Sequence, residues 1–226
     1  MAGKQHSPLQ LGTAILLGYF SIAVAFGVAG RELGFSWPVL VGFSLFVFAG
    51  ASQFLAVQLL AEGVGGLAVI AATLVLNARH IVMSLALRDR ISGNRVPRPL
   101  LAFGITDEVF TSAATRIGSI RDTDLLVMEG LAYSGWVSGT VAGFVVGSFI
   151  PPVMEAAMGI ALYAMFVALV VPGVLRFWRY GAVVATAGAS NFLLSAIGMP
   201  RGPALLVSII LPALLFAATP TWSEPS

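Results

Sequence analysis

Cysteine is absent from the 226-residue sequence, which excludes disulfides, thiolate metal sites and cysteine nucleophiles together. Charge is nearly as scarce: Asp, Glu, Lys and Arg make up 10% of the residues, far below the quarter usual in soluble domains, while 58% are hydrophobic. Lysine occurs once, as Lys4, and histidine only as His6 and His80. No polar segment is long enough to fold separately, so the chain reads as one polytopic membrane domain over 9–220, with short tails at 1–8 and 221–226. The formal charge of +2 does not point to nucleic acid, because the arginines sit in connectors between apolar runs, as expected when the surroundings are a lipid bilayer. Lys4, the following run and the pair Ala23 and Ala25 loosely imitate a leader with its cleavage site. The run is too long for a leader and further runs follow, so no cleavage is expected.

Enzyme signatures are missing as well. There is no H-E-x-x-H or other metal-ligand spacing, no Walker A loop and no dinucleotide fingerprint, so no metal, nucleotide or other cofactor is expected. An intramembrane serine hydrolase would need Ser52 or Ser190 to meet His80, and nothing in the local sequence supports that.

What the chain does have is a succession of long apolar runs, at roughly 9–30, 38–61, 64–87, 124–149, 156–175, 180–198 and 203–219. Each is long enough to span as a helix, too long for a barrel strand and without strict alternation, which predicts an all-α membrane helix bundle of about seven spans. Residues 100–117, LLAFGITDEVFTSAATRI, are the exception, because Asp107 and Glu108 lie at their centre. Arginine counting decides how to read them. If they enter and leave on one face, Arg31, Arg88, Arg90, Arg95, Arg98, Arg116, Arg121, Arg176 and Arg179 share a side, against Lys4 and Arg201. A full crossing scatters the charges almost evenly. The expectation is therefore a broken or re-entrant element, with the N-terminus outside and the C-terminus inside. A weak duplication, AVIAATLVLN (Ala68 to Asn77) over AVVATAGASN (Ala182 to Asn191), suggests two inverted halves, 9–117 and 124–220, with a site where they meet.

The stretch Thr73–Ser84 puts Asn77, Arg79 and His80 in the middle of the third run. An arginine at a helix centre costs about 2.5–3.5 kcal/mol, so such residues face a bundle interior or wet cavity, or else snorkel toward the headgroups. Asp107 and Glu108 are the candidates for proton coupling, with His80 and Glu129 beside them; Glu129 equally suits a helix N-terminus, and His80 helix packing. Gly50-Ala-Ser52-Gln53 interrupts the second run, and the related Gly188-Ala-Ser-Asn191 lies in the sixth. Small and polar residues there fit either an unwound, ligand-facing backbone or helix-to-helix hydrogen bonds. Ser52, Gln53, Asn77, Arg79 and Asn191 are accordingly the candidate substrate contacts. Gly135, Gly139, Gly143 and Gly147 recur every four residues and predict a close-packed helix seam.

GYFSIAVAFGVAGRELGFSWP, FAGASQF, LVLNARHIVMS, FGITDEVF and SGWVSGTVAGFVVGSFIP together resemble the AzlC family of branched-chain amino-acid permeases over residues 12 to about 175. The resemblance implies a subunit that exports valine, leucine, isoleucine or analogues together with a small, hydrophobic AzlD-like membrane subunit. A zwitterion requires a donor for its carboxylate, for which Arg79 or an amide near Gly50 would serve. It requires an acceptor for its ammonium (Asn77, Gln53 or Asp107) and an apolar wall (Phe48, Phe54 or Met83). We expect a proton-coupled secondary transporter of the cytoplasmic membrane; the alternatives are a non-transporting membrane subunit that stabilises or regulates a partner, and a channel.

Overall fold

The computed structural model describes residues 7–149 and 177–217, with isolated positions 167, 171, 174 and 175. The expected fifth span at 156–175 and the C-terminal tail therefore lie outside the described residues, apart from those positions. The regular structure among the described residues is helical except for two short strands. Helix α1 (Pro8–Glu32) opens on a capping box, in which the Ser7 hydroxyl accepts from the Gln10 N–H at 3.2 Å and the Gln10 side chain accepts from the Ser7 N–H at 3.0 Å, with Pro8 preset for the first turn. It closes at Gly34, whose φ of +84° lets the Phe35 N–H return to the Gly30 carbonyl at 3.0 Å.

The second run is not the single span its hydropathy predicts. It forms α2 (Trp37–Phe46) and α3 (Gly50–Ala61), separated at Phe48, a non-glycine residue held at φ +44°. Contacts with α1 fix the directions of the two pieces. Leu40 closes on Gly30 near the end of α1, the Phe48 ring lies 6.3 Å from Tyr19 near its middle, and the Phe54 ring is back beside Phe26 at 5.2 Å. The chain thus climbs from one end to mid-depth and returns, a re-entrant hairpin stitched by Gln53, whose Nε2 donates to the Ser44 hydroxyl at 3.2 Å.

Helix α4 (Gly66–Arg88) then runs antiparallel to α3, with Asn77 beside Ser52, and delivers the chain to the opposite end. There β1 (Ile91–Ser92) pairs in parallel with β2 (Ile120–Arg121), so the segment between them begins and ends at one level. That segment is a second hairpin, α5 (Arg98–Gly104) and α6 (Asp107–Ala114), broken at Ile105 and Thr106. Arg90 clamps its exit by donating to the carbonyls of Ala114, Arg116 and Gly118, and Arg98 its start by donating to those of Ile91 and Gly93. The re-entrant reading of 100–117 is the one the geometry supports.

Helix α7 (Asp122–Val146) returns parallel to α1, and a 3₁₀ turn over Gly147–Phe149 follows it. Gly135 faces Leu16, Gly139 faces Phe20, Gly143 faces Val24 and Gly147 faces Val28, so the glycine stripe is the seam between the two long helices. Further on, α8 (Trp178–Ala196) and α9 (Arg201–Ala217) form an antiparallel pair; Gly202 sits against Val64 and Ala68, which places the start of α9 at the end where α4 begins.

One expectation is corrected by this arrangement. Because the second run turns back, α1 begins at the same end as Arg88, Arg90, Arg95, Arg98, Arg116 and Arg121, so the N-terminus is on the arginine-rich side rather than opposite it. The two hairpins, α2–α3 and α5–α6, approach mid-depth from opposite ends.

At the arginine-rich rim, outside the apolar spans, the Asp122 carboxylate accepts from the N–H groups of Arg95 (2.7 Å), Val96 (3.0 Å) and Thr123 (2.8 Å). The Val96 amide, helped by those of Arg95 and Thr123 and by Arg98, outweighs desolvation and holds this carboxyl below the ordinary carboxylate range. A depressed folded-state value means that its stabilisation is complete above the unfolded value of about 3.9 and is lost as pH falls through the folded one. Asp122→Asn is expected to lower the melting temperature at neutral pH, with the gap to wild type closing in strong acid; a gap independent of pH would show that the clasp is not electrostatic.

Candidate functional site

The two hairpin tips meet at mid-depth, between α1, α4 and α7. Residues Phe48 to Ala51 come from one tip and Thr106 to Glu108 from the other, and Tyr19, Ile22, Arg79, His80 and Trp136 complete a cavity of about 60 Å³, room for a few waters. Each tip exists for a local reason. Gly50 follows the left-handed Phe48 and has no space for a side chain, since a Cβ there would lie 2.5 Å from Cη2 of Trp136. Asp107 and Glu108 occupy the first turn of α6, where carboxylates complement the helix N-terminus.

Three polar links tie the tips to the long helices. Arg79 Nη2 is 3.0 Å from Asp107 Oδ2, with both side chains about one-third exposed, which joins α4 to the second tip. The Tyr19 hydroxyl donates to Glu108 and joins α1 to the same tip. The Asn77 amide donates to the Ser52 hydroxyl at 3.0 Å, and that hydroxyl donates to the Ala49 carbonyl at 2.8 Å, which joins α4 to the first tip. Asn77 Oδ1 and Arg79 Nε, both shielded from solvent, have no hydrogen-bond partner among the described residues. The arrangement therefore leaves a spare cationic donor on the cavity-lining Arg79 and a spare acceptor on Asn77, which faces α3. Beside them, α3 and α6 both start at the cavity, and the first N–H groups of a helix have no intrahelical partner.

Of the candidate residues, Arg79, His80, Asp107 and Glu108 line the cavity, and Ser52 and Asn77 support its floor. Gln53 does not reach it. Its side chain is fully buried and is spent on the hairpin, accepting from the Ala49 N–H at 3.1 Å and donating to Ser44, which in turn meets Thr140 at 2.7 Å. Asn191 is elsewhere, on α8, donating to Ser208 on α9 at 3.2 Å. Glu129 faces α5 behind the second hairpin rather than the cavity. Phe54 packs on Phe26, leaving Phe48 as the aromatic wall. Tyr19 and Trp136 are site residues that motif reading passed over. Tyrosine and tryptophan favour membrane interfaces, so one of each at the middle of a 25-residue helix was the available signal.

A cleft between α1 and α6 runs from Leu11 and Ser112, at the arginine-rich end, to Asp107 and Glu108. Helices α1 and α4 are each long and apolar enough to cross a membrane.

The model of the AzlC protein family matches residues 14–150, a range that contains every residue lining the cavity. Among curated proteins, the inner membrane protein YgaZ of Escherichia coli is 34% identical over 184 residues, 77% of this chain and 75% of that protein. An uncharacterised membrane protein of Archaeoglobus fulgidus is 36% identical over 160 residues, 70% of each chain. The branched-chain amino acid transport protein AzlC of Bacillus subtilis is 27% identical over 141 residues, 60% of this chain and 55% of that protein. No solved structure matches.

Proposed function

The chain belongs to the AzlC family, and from that premise we propose that it exports branched-chain amino acids across the cytoplasmic membrane by alternating access. The observation that carries the reading is the meeting of two oppositely directed hairpin tips around the Arg79–Asp107 pair. Irregular backbone at membrane depth is tolerated where it lines a cavity, and breaks in membrane helices mark substrate sites where inverted elements meet. The printed name of the B. subtilis relative supports the substrate class.

In this reading the substrate carboxylate lies between Arg79 and the free N–H groups at Gly50 and Ala51. The ammonium faces Asn77 Oδ1 or Asp107, and the branched side chain rests on Phe48 and Ile22. A substrate carboxylate competes with Asp107 for Arg79. Binding thus loosens the link between α4 and the second tip, which is the differential interaction a conformational change requires. Coupling protons travel on a carboxylate at or beside that hairpin. By the positive-inside rule the arginine-rich end is cytoplasmic, with the N-terminus inside. The cleft between α1 and α6 then opens toward the cytoplasm, on the side from which an exporter takes its substrate. A small AzlD-like membrane subunit completes the working unit.

The test is valine flux in liposomes holding the purified chain, with and without the AzlD-like subunit and with and without an imposed pH gradient. Saturable counterflow that a pH gradient accelerates is the expected result. A non-saturating leak indicates a channel, and no flux in any preparation leaves the chain a supporting subunit; either outcome overturns the proposal.

A further inference from the structure

We propose that Glu129, not the Asp107–Glu108 pair, is the residue that takes up the coupling proton, and that it controls the seating of hairpin α5–α6 on α7. The inference rests on the transporter reading and assigns one of its steps. Both tip carboxylates already have partners: Asp107 is paired with Arg79, and Glu108 accepts from Tyr19. Glu129 differs from both. Its side chain is 3% exposed, and neither carboxyl oxygen has a hydrogen-bond partner among the described residues.

The described elements packed around Glu129 supply nothing to balance a charge. Helix α1 carries no acidic or basic residue between Pro8 and Ala29, and its Tyr19 hydroxyl is given to Glu108. Helix α2 has no titratable side chain. On α5 the one charged residue is Arg98, at the far end, turned to the carbonyls of Ile91 and Gly93. On α6, Asp107 and Glu108 are engaged as described. On α7, Tyr133 donates to the Leu45 carbonyl at 3.0 Å, Asp122 is held by backbone amides and Asp124 pairs with Arg121 at 3.0 Å. An ionised carboxylate with no donor and no cation is too costly in such a place, whereas a protonated carboxyl leaves only ordinary polar groups unsatisfied.

The backbone shows what the proton would control. A Cβ added at Gly104, the last residue of α5 before the break, would lie 2.5 Å from Glu129 Cδ and 2.7 Å from its Cβ and Cγ. The glutamate therefore lies flat across the α5 backbone, close to the tip that carries Asp107. Protonated, it lets the hairpin seat; ionised, it needs water, which enters only if the hairpin lifts from α7. Proton binding and release are thereby tied to the element that holds Arg79.

Infrared difference spectroscopy of the reconstituted chain across a pH step tests the assignment without a transport assay. The carbonyl band of a protonated carboxyl is expected in wild type and in Asp107→Asn, absent in Glu129→Gln, and shifted in Glu129→Asp, which keeps the assignment readable if the glutamine variant fails to fold. In liposomes, Glu129→Gln is expected to keep valine counterflow and to lose acceleration by a pH gradient. A band that persists in Glu129→Gln, or pH-driven flux that survives in it, overturns the proposal. Failure of wild type to move valine would instead sink the transport reading, while the infrared result would still decide whether Glu129 takes a proton.

Discussion

Arg79→Ala is expected to abolish valine counterflow in liposomes while the purified protein remains folded and monodisperse. Arg79 contributes one ion pair, at 3.0 Å, and both partners are about one-third exposed within a cavity that has room for water. Breaking such a half-solvated pair costs the fold on the order of 1 kcal/mol, well short of the cost of stranding a fully buried charge. The functional loss is larger, because the guanidinium is the one cationic group lining the cavity among the described residues. Arg79→Lys, a point charge without the planar fork, is expected to raise KM more than it lowers kcat. The double variant Arg79→Ala/Asp107→Asn separates the two roles. It is expected to regain the melting temperature lost by Arg79→Ala, since no carboxylate is left unpaired, and to remain inactive. Counterflow near wild type in Arg79→Ala would show that the arginine only ties α4 to the hairpin.

The most legible parts of the sequence were those where one residue type has few acceptable environments. Paired carboxylates inside an apolar segment, weighed against the arginine distribution, led to a re-entrant element at 100–117, and the structure has hairpin α5–α6 there. An arginine at the centre of a span called for a cavity or a snorkelling side chain, and Arg79 lines a cavity. Glycines at four-residue spacing called for a helix seam, and they form it.

The hairpin α2–α3 was not legible as a hairpin, because 24 apolar residues have the same hydropathy whether they cross or turn back. Direction is set by Phe48 at positive φ and by the lack of room beside Gly50, and neither can be read without the neighbouring Trp136. That single reversal moved the start of α1 to the other side. Gln53 illustrates a related limit. A polar side chain in an apolar run serves a ligand or stitches backbone, and only the Ser44 and Ala49 contacts decide for the stitch. Glu129 goes the other way: a helix-terminus reading was reasonable from its position near the start of a run, but α7 begins at Asp122, two turns earlier, and leaves the carboxyl in the packed interior.

Gly139→Leu is expected to be severely damaging to the fold. A Cβ at that position would sit 2.5 Å from the Phe20 carbonyl oxygen and 2.8 Å from the Ala23 Cβ, so the obstacle is the body of α1 rather than the flexible end of a side chain. Overpacking a core costs about 1–3 kcal/mol when neighbouring side chains can shift. Here relief requires the two long helices to part, so the cost exceeds that range. Parting them also strips contacts from Gly135 and Gly143, and in lipid close packing is what joins helices, with no hydrophobic force to hold them once the fit is lost. The control is Gly130→Leu on the same helix, where an added Cβ meets nothing within 4 Å and helix propensity improves. Thermal unfolding in detergent, followed by the loss of the monodisperse peak, should find Gly130→Leu at or above wild type and Gly139→Leu collapsed or unrecoverable. Equal melting of the two variants would mean that α1 and α7 are not held by this seam, and the hairpin cavity between them would lose its walls.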